Sequence, residues 1–167
     1  MSKFSVGILT VSDRSSAGLY EDRSGPALAA AAAALGWEVA ARAVVPDDAG
    51  EIARLLREWC DEAALDIVLT SGGTGLGPRD VTPEATRGVI EREIPGLAER
   101  MRREGEKAAP TAPLSRAVCG QRGRTLILNL PGSPQGARES LDCVAGLLPH
   151  AVEMLRGGDH PPAGGSA

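Results

Sequence analysis

The sequence predicts a three-layer α/β/α fold around a mostly parallel central sheet. Two observations predict it. Strand-like and helix-like segments alternate along the 167 residues, and most strand candidates are continuous apolar runs, as expected of strands covered on both faces.

Phe4 to Ser12 opens the series with Val6, Ile8, Leu9 and Val11 in one short run. A polar stretch from Asp13 to Gly25 follows. Pro26 to Leu35 is almost entirely Ala and Leu, the strongest helix formers, and Gly36 closes it. Glu38 to Val45 is the second strand candidate. Ala49 to Glu62 carries Ile52, Leu55, Leu56 and Trp59 at helical spacing, and Asp66 to Thr70 is a third strand. After a Gly-rich loop, Thr82-Pro83 reads as a helix start with Thr82 as cap. Glu93 to Gly96 interrupts this helix, and Leu97 to Lys107 continues as a basic, solvated one. Ala117 to Arg122 and Thr125 to Leu130 are further strands. A last helix covers Gln135 to Leu155, with Pro149 a potential break. The expectation is a single domain over 1–156 and a flexible Gly/Pro-rich tail over 157–167.

Hydrophobic residues make up 43% and charged residues 24% of the chain, within the globular range. Aromatics are only 2%, which argues against recognition of single-stranded nucleic acid by base stacking. The net charge of −4 argues against a nucleic-acid backbone as partner. Cys60, Cys119 and Cys143 are scattered without a Cys-x-x-Cys pair, so reduced thiols are expected and a zinc site is not. Trp37, Trp59, Cys119 and Cys143 read as packing residues. With no leader pattern and no apolar run of membrane-spanning length, a cytoplasmic location is expected and a membrane partner is not.

In such folds ligands sit at the carboxyl ends of the strands. Three loops leave those ends: Asp13-Arg14, Ser71 to Asp80, and Pro131 to Pro134. In the second, Gly72-Gly73-Thr74-Gly75 with Ser71 is compatible with an anion cradle of backbone amides and hydroxyls, and equally with a plain tight turn. It is not a P-loop, since Gly77 is followed by Pro78. With Thr82 assigned as cap, Asp80 has no capping task. Asp48 and Glu51 have capping-box spacing, which leaves Asp47 without one either. Two such carboxylates beside an anion cradle point to Mg²⁺, which takes one or two carboxylates plus phosphates. Solvated loop acids are the alternative. Arg79 and Arg116 offer guanidinium groups for phosphate or, equally, surface charge. Asp13-Arg14, a weaker signal for ligand contact, reads first as an exposed ion pair.

Thr10-Val-Ser-Asp-Arg14, Leu69 to Gly75, Pro78 to Thr86 and Asn129 to Pro134 together resemble the motifs of the MogA/MoaB family, which includes the G domains of gephyrin and its plant counterpart. The resemblance spans about Phe4 to Arg156. It implies a molybdopterin-binding fold, a homotrimer, and the reaction of molybdopterin with ATP to give adenylylated molybdopterin and pyrophosphate. A separate molybdenum insertase would then use the product. The family's essential acids fall on Asp47 and Asp80. Ser12, Asp13, Arg14, Ser71, Gly72, Gly73, Thr74, Gly75, Arg79, Ser115, Arg116, Pro131, Gly132 and Ser133 fall on its substrate and nucleotide positions, with Ser133 where other members often carry Asn or Gln. A non-catalytic molybdopterin-binding protein of the MoaB branch is the alternative.

Overall fold

The computed structural model describes residues 4–158. Its strands are β1 (Ser5–Val11), β2 (Glu38–Val45), β3 (Ile67–Ser71), β4 (Arg92–Glu93), β5 (Cys119–Arg122) and β6 (Thr125–Leu130). They form one sheet in the order β2-β1-β3-β6-β5-β4. The first four in that order run parallel, while β5 is antiparallel to β6 and β4 antiparallel to β5. The mostly parallel sheet expected from the sequence is present.

The helices are α1 (Asp13–Ser16), α2 (Ser24–Ala34), α3 (Ala49–Asp61), α4 (Thr82–Arg87), α5 (Pro95–Glu106), α6 (Pro134–Ala145) and α7 (Leu148–Leu155). Successive strand residues point to opposite faces, so a strand covered on both sides must be apolar throughout. Accordingly Val6, Ile8, Ile67, Leu69, Leu126 and Leu128 pack with Leu28, Leu97, Met101, Leu141 and Leu148 from α2, α5, α6 and α7. On the other face Leu9, Val11, Val68 and Ile127 meet Ile52, Leu55, Leu56 and Trp59 of α3 and Ala85 of α4. Trp37 and Trp59 are core residues, as expected. Cys60 and Cys119 are buried, and desolvation pushes their thiols up to about 11 and about 12 respectively.

Three elements differ from expectation. The segment expected as a solvated helix begins at Pro95 and buries Leu97, Ala98 and Met101. These residues occupy one face beneath a charged one, which the density of Arg and Glu conceals. The preceding helix ends at Arg87, and β4 fills the gap; a two-residue edge strand is too short for a periodic signal. The last helix is broken after Ala145, and Pro149 lies in the first turn of α7, where its missing N–H costs nothing. The tail expectation falls mainly on residues 159–167, outside the described residues.

Beneath the strand ends lies a closed polar network. Asn129 on β6 donates to the hydroxyls of Thr70 at 3.0 Å and Thr86 at 2.9 Å, and its Oδ1 accepts from Val118 N at 3.1 Å. It is fully buried and thereby joins β3, α4 and the segment leading into β5. Replacing it leaves buried donors and acceptors without partners. Asn129→Ala is expected to lower unfolding stability by about 2–4 kcal/mol in urea titration, with an unchanged m-value. A loss below about 1 kcal/mol would contradict this role.

Candidate active site

The loops at the carboxyl ends of β1, β2, β3 and β6 meet on one side of the sheet. Ser12 caps α1 by accepting from Ser15 N, and its own N–H donates to Val45 O at 2.9 Å, tying the end of β1 to that of β2. Asp13 and Asp47 then exchange bonds. Asp13 N donates to Asp47 Oδ2 at 2.8 Å, and Asp47 N donates to Asp13 Oδ1 at 2.9 Å. Arg79 closes over this pair with two bonds to the Asp13 carboxylate, each 3.0 Å. The Arg79 guanidinium and then the Asp47 N–H hold Asp13 below the usual aspartate range. Asp47 is shifted the other way, first by burial, with the charges of Asp13 and Asp80 adding to the rise.

Gly72 and Gly73 form the floor of the second loop, with φ of 103° and 67°. These are left-handed values that side-chain-bearing residues rarely adopt. Gly72 N donates to Leu130 O at 3.1 Å, and the Ser71 hydroxyl donates to Pro131 O at 2.8 Å, so the loops after β3 and β6 lie side by side. At the far end of the loop, Asp80 Oδ2 accepts from Gly77 N at 2.8 Å. Ser133 caps α6 by accepting from Gly136 N at 3.1 Å.

Two cavities flank the Gly-rich loop. One, of about 440 Å³ and the more polar of the two, is bordered by Ser12, Asp47, Ser71, Gly72, Gly73, Asp80, Gly132 and Ser133, with Tyr20 and Asp22 at its side. The other, of about 490 Å³, is mostly apolar and lies against Thr74, Gly75, Leu76, Met101, Leu114 and Ser115. Ser133 and the loop itself form the shared wall. The structure thus gathers Ser12, Asp47, Ser71, Gly72, Gly73, Asp80, Gly132 and Ser133 at one cleft. Thr74, Gly75, Ser115 and Pro131 stand at its neighbour.

Several expected roles are revised. Thr82 is not the cap of α4: Val81 stands there without a side-chain bond, and the buried Thr82 hydroxyl donates to Gly72 O at 2.9 Å. Asp47 and Asp80 are not spare, since both accept backbone N–H bonds. Asp48 does cap α3, accepting from Glu51 N as its spacing predicts. Arg14 does not pair with Asp13; its guanidinium lies 4.7 Å from the centre of the Tyr20 ring. Arg79 is committed to Asp13, and Arg116 bonds the loop itself at Gly75 O and Asp80 O. Both guanidinium groups thus grip protein acceptors in this structure.

Sequence reasoning missed Asp22, which accepts from the Thr10 hydroxyl at 2.9 Å and from Gly25 N at 3.0 Å, bracing the cleft wall at the start of α2. Its signal was the spacing to Gly25, the three-residue step of a side-chain cap. Among the described residues no three metal-ligating side chains gather. Glu21, Asp22, Asp47 and Asp80 all line the polar cleft, and carboxylates such as Asp47 and Asp80 are the donor type Mg²⁺ takes when substrate phosphates and waters complete its shell.

Residues 7–150 match the family described as "Probable molybdopterin binding domain". The chain belongs to this family. A Drosophila melanogaster member, molybdenum cofactor synthesis protein cinnamon, is 43% identical over 160 residues, covering 93% of this chain; the chain spans 26% of that larger protein. The molybdopterin adenylyltransferase of Helicobacter pylori strain J99 is 41% identical over 167 residues, covering 94% of this chain and 90% of the relative. Among solved structures, the molybdopterin biosynthesis enzyme MoaB of Thermus thermophilus superposes with a TM-score of 0.88 at 55% identity, covering 92% of this chain and 97% of that one. The family resemblance read from the four motifs is therefore correct, as is the fold it implied.

Proposed function

We propose that this chain is a molybdopterin adenylyltransferase acting in molybdenum cofactor biosynthesis. The observation that carries the proposal is the pairing of Asp47 and Asp80 at one polar cleft, beside a glycine floor and across a single loop from an apolar cavity. Such a site suits two ligands that each join a phosphate to a flat heterocycle. Relatives named for this activity, close to this chain in length and about 40% identical to it, support the reading.

The terminal phosphate of molybdopterin is largely dianionic near neutrality, because its second pKa is about 6. Its oxygen attacks the α-phosphorus of ATP, the bond from that phosphorus to the bridging oxygen breaks, and pyrophosphate leaves with the electron pair. No proton has to be removed from the nucleophile, and no His or Lys lines the polar cleft. The protein's task is alignment and neutralisation of charge. Gly72 and Gly73 let the backbone approach phosphate closely, and the hydroxyls of Ser12, Ser71 and Ser133 border the same space. Asp47 and Asp80 would hold Mg²⁺, which when bound offsets the charge developing on pyrophosphate. In this reading the chain works as a cytoplasmic homotrimer and passes its product to a separate insertase. Among the described residues no helix is long and apolar enough to cross a membrane.

Release of pyrophosphate from ATP in the presence of molybdopterin and Mg²⁺ tests the proposal. Release that requires both substrates and stops on chelation is expected. Tight molybdopterin binding without release would instead favour a non-catalytic molybdopterin-binding protein of the MoaB branch.

A further inference from the structure

Arg116 was expected at a substrate position, yet every arm of its guanidinium is turned inward. Nε donates to Gly75 O at 2.7 Å and Nη2 to Asp80 O at 2.7 Å, while Nη1 pairs with Glu84 in the first turn of α4. Its backbone N–H donates to Thr74 O at 2.9 Å. One residue thus ties both limbs of the Gly-rich loop to each other and to the helix that follows.

The remaining contacts of the loop explain why this matters. Its beginning is anchored to β6 by Gly72 N and to Thr82 by the Gly72 and Gly73 carbonyls. Its far end has the local turn in which Asp80 N donates to Gly77 O at 3.0 Å and Gly77 N returns a bond to the Asp80 carboxylate, and the exposed side-chain pair of Arg79 with Asp13. That turn shapes the tip but does not fix where the tip sits. Leu76, just before this turn, is 69% exposed, so apolar packing there does not hold it either. Arg79 reaches Asp13 only through a flexible, exposed side chain, whereas Arg116 bonds the backbone of Asp80 itself and so adds a firmer reference. The bonds from Arg116 span from Thr74 and Gly75, which face the apolar cavity, to Asp80, which faces the polar one. A planar guanidinium is suited to this because its N–H groups leave in fixed directions. A lysine can reach one or two of the acceptors but cannot hold all three in one plane.

We infer that Arg116, oriented by Glu84, is a positioning residue that sets Asp80 at the correct distance from the Gly-rich cradle without touching substrate itself. The inference rests on the reading of Asp80 as a working acid of the cleft.

A double-mutant cycle on pyrophosphate release decides it, using Arg116→Ala, Arg116→Lys and Glu84→Gln alone and combined with Asp80→Asn. Arg116→Ala is expected to lose turnover by about tenfold or more, Arg116→Lys less, and Glu84→Gln least. Each is expected to add little once Asp80 is Asn, because a group acting through Asp80 has nothing left to position. Losses that multiply with that of Asp80→Asn, or wild-type turnover in Arg116→Lys and Glu84→Gln, overturn the inference. A selective rise in KM for ATP in Arg116→Lys at unchanged kcat also overturns it, since that marks direct contact with phosphate. If Arg116→Ala does not fold, Arg116→Lys and Glu84→Gln carry the cycle, with thermal unfolding run beside them. Wild-type turnover in Asp80→Asn alone refutes the underlying site reading, an outcome distinct from multiplying losses.

Discussion

Asp80→Asn is expected to bind molybdopterin nearly as well as the parent chain and to lose turnover by about 10²-fold or more, the scale of removing a main charge stabiliser. The structure makes this substitution unusually clean. Asp80 has two tasks: its Oδ2 accepts from Gly77 N, and its charge faces the polar cleft beside Asp47. An Asn side chain keeps an oxygen able to accept the Gly77 bond, so the turn over 77–80 survives while the charge disappears. Asp80→Ala loses both, and its defect is expected to include altered binding. Comparing the two by pyrophosphate release and equilibrium binding separates the electrostatic from the structural contribution. Wild-type turnover in Asp80→Asn would remove Asp80 from the chemistry and leave it as a loop residue.

The second large effect is expected for Gly72→Ala. At φ 103° the backbone lies where an L side chain is heavily disfavoured. The added Cβ would also press on the carbonyl oxygen of Val11 at the end of β1, and backbone there cannot swing aside as a flexible side chain could. Strain alone costs about 1–3 kcal/mol, and the collision adds to it. Relief requires the loop to lift off β1, breaking the bond of Gly72 N to Leu130 O and that of the Thr82 hydroxyl to Gly72 O. A loss above about 3 kcal/mol by urea unfolding is expected, together with a collapse of turnover in the fraction that folds. Gly96→Ala in α5 serves as the control, since its Cβ meets nothing. It is expected to be neutral or stabilising by up to about 1 kcal/mol. Equal stability of Gly72→Ala and the parent chain would show that the glycine floor tolerates a side chain.

What the sequence disclosed and what it withheld divide along sequence separation. β1, β3 and β6 were legible because strands buried on both faces are apolar without interruption. α3 was legible because its stripe and its Asp48 cap are both local. The same local logic misassigned Thr82. A Thr before Pro looks like a cap when the helix is considered alone, but the loop folds back over it and presents the Gly72 carbonyl instead. Arg79 and Arg116 were found as residues but not as roles, since their partners lie 66 residues away at Asp13 and 41 away at Gly75. A guanidinium that grips the protein reads the same in sequence as one that waits for phosphate. β4 escaped because its two residues gain strand character only from Gly120 and Gln121 across from them.

The exchange between Asp13 and Asp47 also bears on how this site can diverge. Each carboxylate satisfies the other residue's backbone N–H, so neither position can drift alone without leaving a donor stranded. Arg79 adds a third member, because its two bonds end on Asp13. A demand that chemistry places on Asp47 is thereby inherited by Asp13, whose carboxylate is already filled by three N–H groups, and through it by Arg79. The three positions, assembled from three loops, are thus coupled through Asp13, so a substitution at one changes the surroundings of the others.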